Sequence, residues 1–189
     1  SAYETAISLF KKGVSVNIID IRKKATSKIV KQAEKFGIKI YWNSTVTNTF
    51  GYRKINSIEI MKLSDDGSNV VGDKIKINCD CLGISGGWTP MVHMHTQSGG
   101  KLNFRENDQV FLPKDGYPNQ ISVGSCNGDF ELDEIIKNTN NNIKIYLDIK
   151  NTDYDNLDIS CSKEVEKRNI WLLPNYLPIG KTKSFVDFQ

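Results

Sequence analysis

A β-branched run, Val14-Ser-Val-Asn-Ile-Ile-Asp-Ile21, lies between two segments of helical periodicity, and this limits the folds open to the chain. The run is apolar enough for a strand buried on both faces of a parallel sheet. Ahead of it, Tyr3, Ala6, Ile7 and Phe10 recur at helical spacing, and Gly13 suits the end of that helix. Behind it, Thr26 or Ser27 can cap a second helix. That helix would bury Ile29, Val30, Ala33 and Phe36 and stop at Gly37. Residues 38–42 form the next strand. The opening therefore reads helix, strand, helix, strand, with short crossovers that suit right-handed α/β winding.

The pattern then changes. Residues 45–50, 55–63 and 73–79 are strand candidates, with clear alternation in Ser57-Ile-Glu-Ile-Met-Lys-Leu63. Ser64-Asp-Asp-Gly-Ser68 supplies turn chemistry, so an antiparallel three-strand meander is expected. Cys81-Leu-Gly-Ile-Ser85 returns to a short apolar strand and ends in the breaker cluster Gly86-Gly87-Trp88-Thr89-Pro90. Residues 14–20 and 81–85, both continuously apolar, are expected as inner strands of a central parallel sheet. Residues 91–97 suit one or two helical turns, and 101–104 and 109–112 suit short strands. Gln120-Ile-Ser-Val-Gly124 reads as a strand running into Ser125-Cys-Asn-Gly128, followed by a helix over 132–148. Residues 150–169 are polar and read as a linker, and Ile170, Trp171, Leu172 and Leu173 form a short apolar anchor.

Composition removes several classes. With 39% hydrophobic and 25% charged residues, the chain is not collagen-like, a coiled coil or wholly disordered. A net charge of +3 is too weak to argue for nucleic acid. No run of ~18 apolar residues suggests a membrane span. Ser1-Ala2-Tyr3-Glu4 lacks the basic start and apolar core of a secretory leader. Cys79, Cys81, Cys126 and Cys161 match no zinc or redox spacing, and the expectation is reduced thiols in a cytoplasmic protein. His93 and His95 would share a face on a strand and diverge on a helix, and no acidic or Cys partner lies close in sequence to complete a metal site. No Ser–His–Asp set and no glycosidase-like carboxylate pair is apparent.

The opening is half of a Rossmann-like FAD/NAD(P)-binding fold, incomplete at the N-terminus. In such folds a glycine turn leads into a helix whose N-terminus holds a pyrophosphate. Ser1 stands at that helix start. Asp20 ends the next strand, where an acidic residue meets a ribose hydroxyl or is simply a solvated strand end, and Arg22 follows it. Gly83, Gly86 and Gly87 either let a ligand approach the backbone or make a tight turn. Gly124, Ser125 and Gly128 could offer N–H groups to a phosphate. Trp88 is expected to pack at a domain boundary rather than stack on a ring.

The stretch Gly83-Ile-Ser-Gly-Gly-Trp-Thr-Pro-Met-Val-His-Met-His-Thr-Gln-Ser-Gly-Gly-Lys-Leu102 resembles the α subunit of heterotetrameric sarcosine oxidase. That region of the family has a serine, two glycines, Trp-x-Pro, Val-His and Gln-Ser-Gly-Gly. Ser1-Ala-Tyr-Glu-Thr-Ala6, the Val-x-x-Ile-Asp-Ile-Arg22 pattern, Gly124-Ser-Cys-Asn-Gly-Asp-Phe130 and Lys183-Ser-Phe-Val-Asp-Phe-Gln189 fit it in order.

The resemblance implies an internal piece of a longer subunit, similar to the flavoprotein disulfide reductases with two dinucleotide domains. Residues 1–85 would be an inserted NAD-type domain without its first strand. Residues 86–150 would return to the first FAD/NAD(P)-binding domain, and 151–189 would be a linker and the start of the next. The family oxidises sarcosine to glycine with O2 and passes the methyl carbon to tetrahydrofolate. Its complex holds NAD, FAD and FMN and assembles from α, β, γ and δ subunits, with the amine oxidised outside this piece. Gly124 is followed by Ser125 where the reductases have Gly-Asp, and no CxxC is present, which favours NAD in a non-redox role over FAD. The α subunits of proline- and hydroxyproline-type dehydrogenases, and a non-catalytic dinucleotide-binding scaffold, are the competing readings.

Overall fold

The computed structural model describes residues 2–114, 120–148, 168, 170, 172–178 and 181–182. They fall into two compact units. The first comprises Ser1–Gly86 with Val165–Gln189, the second Gly87–Glu164.

The first unit opens with helix α1 (Ala2–Lys11), strand β1 (Asn17–Asp20), helix α2 (Lys28–Lys35) and strand β2 (Lys39–Trp42). β1 and β2 pair in parallel, Asn17 with Lys39 through Asp20 with Trp42. Both helices end the same way. Gly13 at φ +84° donates its N–H to Phe10 O, and Val14 donates to Leu9 O. Gly37 at φ +76° donates to Glu34 O, and Ile38 to Ala33 O. These paired bonds satisfy the last carbonyls, and the left-handed turn they need is open to glycine without strain. Ser27 is the N-cap of α2, but its side chain makes no capping bond. The core of this part is Tyr3, Ala6, Ile7, Ile18, Ala25, Val30, Ala33 and Ile38. Phe10, Val16, Ile29, Phe36, Ile40 and Trp42 pack around it, so the apolar faces read from spacing are the ones buried.

Strands β3 (Ser44–Gly51), β4 (Ile55–Leu63) and β5 (Val70–Asn78) form an antiparallel meander in chain order. Ile58 and Ile60 of the central strand pair with Ile77 and Ile75, and both central side chains are buried. The β4–β5 turn is held by Asp66, whose carboxylate accepts from the hydroxyls of Ser64 at 2.5 Å and Ser68 at 2.6 Å.

The second unit contains α3 (His93–Gln97), the antiparallel pair β6 (Leu102–Arg105) and β7 (Val110–Pro113), a 3₁₀ turn (Gly124–Asn127) and α4 (Leu132–Leu147). The parallel and antiparallel sheets together make this a mixed α/β chain.

Several expectations fail. Residues 81–85 form no strand: Ile84 is 86% exposed, and no second strand among the described residues offers this run a ladder. β1 is shorter than the run from Val14, and it pairs only with β2 among the described residues, so it is not an inner strand there. Residues 120–123 are irregular rather than a strand. Trp88, expected to pack, is 83% exposed. Of the C-terminal stretch, residues 149–167, 169 and 171 lie outside the described residues. Arg168, expected in a polar linker, is half-buried against the first unit, whereas Leu172 and Leu173 of the apolar anchor are exposed.

Candidate functional site

The carboxyl end of β1 carries a buried polar cluster. Asp20 is buried there. Its Oδ1 accepts the backbone N–H of Arg22 at 2.9 Å and Arg22 Nε at 3.0 Å. Its Oδ2 accepts the Tyr3 hydroxyl and Arg22 Nη2, both at 2.6 Å. Burial pushes the Asp20 pKa up, but the Arg22 and Tyr3 hydrogen bonds more than offset this, and it sits below the ordinary carboxylate value. Burial raises the Tyr3 pKa well above a free phenol, and the adjoining carboxylate raises it further. Arg22 is raised, chiefly by its hydrogen bonds to Asp20. The sequence places these groups through a short strand that turns immediately, so Arg22 folds back on Asp20. Tyr3, in the first turn of α1, comes across from the preceding helix.

A second hub lies at the β2–β3 corner. Asn43 adopts φ +50°. Its N–H donates to Arg22 O at 2.8 Å, its O accepts Leu63 N–H at 2.7 Å, and its Nδ2 donates to Leu63 O at 2.7 Å. Arg168 closes the corner, with Nη1 donating to Ile21 O and to Asn43 Oδ1, each at 2.6 Å. Asn175 Nδ2 donates to Thr47 O at 2.7 Å, where Thr47 bulges out of the β3 ladder. Neither Asn43 nor Arg168 was singled out from the sequence. A Trp-Asn-Ser break between two strand runs is a turn signal that could have found Asn43, whereas nothing local marks Arg168.

In the second unit, Gly124, Ser125 and Gly128 come together as one 3₁₀ turn. Gly124 (φ +71°) and Gly128 (φ +84°) are buried and Ser125 is exposed. The turn's own carbonyls accept the N–H groups of Gly128 and Asp129. Arg105 Nη2 donates to Gly128 O at 3.1 Å. A Cβ on Gly128 would stand 2.6 Å from Leu112 Cδ2 and 2.9 Å from Arg105 Nη2, so this glycine admits protein neighbours. Gly83, Gly86 and Gly87 are exposed, with no atom within 4 Å of a Cβ built at any of them. Ser1 lies outside the described residues. Among the described residues no three His, Cys, Asp or Glu side chains gather as a metal set. Cys79, Cys81 and Cys126 are free thiols. No helix among the described residues is long and apolar enough to cross a membrane.

The distinctive His-Met-His-Thr-Gln-Ser-Gly-Gly motif has an architectural use. His93 and His95 diverge on α3: His93 is exposed and His95 buried. His95 Nε2 lies 2.9 Å from Lys101 O, so that nitrogen carries the proton, and Nδ1 accepts from Gln120 Nε2 at 3.3 Å. Gln120 Oε1 accepts the Ser98 hydroxyl at 2.6 Å. A Cβ on Gly100 would stand 2.3 Å from His95 Nε2. Gly100→Ala is therefore expected to lower the stability of the second unit by about 1–3 kcal/mol through overpacking. Adding His95→Ala should recover part of that loss, since removing the ring removes the clash. A double-mutant cycle by urea denaturation checks this, and strict additivity would refute it.

No known protein-family profile matches the chain. Two curated relatives do. The sarcosine oxidase subunit alpha of Corynebacterium sp. (strain U-96) is 30% identical over 128 residues, covering 68% of this chain and 13% of that protein. The same subunit of Corynebacterium sp. (strain P-1) is 28% identical over 133 residues, covering 69% and 13%. The chain is related to the sarcosine oxidase alpha subunit. It spans about one eighth of the length of these relatives. Among solved structures, T. acidophilum thioredoxin reductase superposes with a TM-score of 0.58 at 22% identity, over 78% of this chain and 49% of that one. This likeness bears on the fold alone and agrees with the FAD/NAD(P)-binding class.

Proposed function

We propose that this chain is part of a sarcosine oxidase-type alpha subunit, in which it holds a dinucleotide and scaffolds the complex. The observation that carries this is the 30% identity to the U-96 alpha subunit across 68% of the chain. On this reading the complex demethylates sarcosine oxidatively to glycine with O2 and tetrahydrofolate, and it includes β, γ and δ subunits, FAD and FMN. The first unit binds the adenosine end of NAD in a non-redox role. The carboxyl ends of β1 and β2, where Asp20 and Arg22 stand, are the default ligand position of a parallel α/β sheet. The amine is oxidised elsewhere in the complex, and none of the residues described here performs that step.

The test is sarcosine-dependent peroxide formation by the intact protein with its partner subunits, together with release and identification of bound cofactors. Turnover of sarcosine with NAD present supports the proposal. Turnover of a proline-type amino acid with a carrier instead of O2 would transfer it to the related dehydrogenases. The 189-residue chain alone is expected to turn over no sarcosine and to bind NAD more weakly than micromolar, because β1 has a single parallel neighbour among the described residues and the crevice lacks a wall. Micromolar affinity in a calorimetric titration of the isolated chain would contradict that.

A further inference from the structure

Asp20 stands where the fold puts an acidic side chain against the ribose diol of a dinucleotide. A carboxylate in that role needs accepting capacity directed at the crevice, and each oxygen offers about two lone-pair positions. Asp20 has none to spare. Oδ1 takes the Arg22 N–H and Nε, and Oδ2 takes the Tyr3 hydroxyl and Arg22 Nη2, with Nε again at 3.1 Å. The Asp20 side chain is 8% exposed against 18% for that of Arg22, so of the two side chains Arg22 is the more open to solvent. As a free ribose acceptor, Asp20 does not fit.

We infer that Asp20 is a positioning residue, fixing Arg22 and, through Tyr3, the first turn of α1, and that Arg22 is the group that meets the adenosine ribose. This rests on the dinucleotide reading above and sharpens it by naming the ligand class: dinucleotides with or without a 2′-phosphate. A free aspartate excludes the 2′-phosphate by like charge. Asp20 and Arg22 together carry no net charge. What they present is a guanidinium, which a phosphate accepts from more strongly than a neutral hydroxyl does.

Calorimetric titration of the cofactor-stripped intact protein with NAD+ and with NADP+ tests this. The two affinities should lie within about tenfold of each other. Arg22→Gln should weaken NADP+ by about tenfold or more and NAD+ by less. Asp20→Asn loosens Arg22, which disfavours NADP+, and removes the negative charge behind it, which favours NADP+, so the two affinities should shift relative to each other by less than about tenfold. A wild-type preference for NAD+ beyond about a hundredfold, relaxed by Asp20→Asn, would overturn the inference, being the signature of a carboxylate facing the ribose. If Asp20→Asn does not fold, the wild-type ratio and Arg22→Gln decide. Binding of neither cofactor to the wild type would instead remove the dinucleotide reading, and this inference with it.

Discussion

Asp20→Ala is expected to destabilise the first unit by about 3–5 kcal/mol, the usual cost of breaking a buried ion pair by removing one partner. The variant strands donors on two residues. Arg22 loses the acceptor of its Nε, Nη2 and backbone N–H, and Tyr3 loses the acceptor of a hydroxyl in a buried setting. Either group left unpaired costs more than the net value of the bond it made. Urea denaturation followed by circular dichroism gives the number, and a loss below about 1 kcal/mol would place Asp20 among surface ion pairs instead. The effect has a pH signature. The folded Asp20 pKa lies below its unfolded value, which is about 3.9. Its contribution is therefore fully present above about pH 4 and is lost as pH falls through the folded value. The gap between wild type and Asp20→Ala should stay constant from neutral pH to about pH 5 and close below pH 4. A gap that widened on acidification would contradict the assignment.

How much of this was legible depends on how far each interaction reaches along the chain. The two helix ends were readable, because a glycine after an apolar periodic run has one common use, and Gly13 and Gly37 both serve it. The meander was readable because alternation in residues 57–63 and a Ser-Asp-Asp-Gly-Ser turn are local signals. Residues 81–85 and 120–124 were misread for a physical reason. Apolar character states a preference for burial, but a strand exists only where a second strand offers its hydrogen bonds. The candidate site residues divide the same way. Asp20 and Arg22 are near neighbours and do come together, but Tyr3, 17 residues away, completes the cluster and changes what Asp20 has left to offer. Gly100 and Gly128 are glycines for closeness to His95 and to Leu112 and Arg105, which spacing alone cannot distinguish from closeness to a phosphate.

Arg168→Ala is the second large expected effect: a loss of about 2–3 kcal/mol, at the upper end for hydrogen bonds to a charged group because more than one is removed. Arg168 Nη1 reaches Ile21 O across 147 residues of chain and Asn43 Oδ1 across 125, and Nη2 reaches Ser64 O at 3.3 Å. It thus joins the loop after β1, the β2–β3 corner and the β4–β5 turn. Gly67 makes room for it: a Cβ there would stand 2.8 Å from Arg168 Nη2. Asn43, held at positive φ, depends on its side-chain partners to offset the conformational cost, and Arg168 supplies one of them. Arg168→Lys should not rescue the loss, because one ammonium cannot span the three acceptors that the planar fork reaches. Hydrogen exchange distinguishes the outcomes. In Arg168→Ala the amides of Asn43 and Leu63, bonded to Arg22 O and Asn43 O, should lose protection before those of the β4 core. Unchanged exchange at both amides would mean that the corner holds itself and that Arg168 only rests upon it.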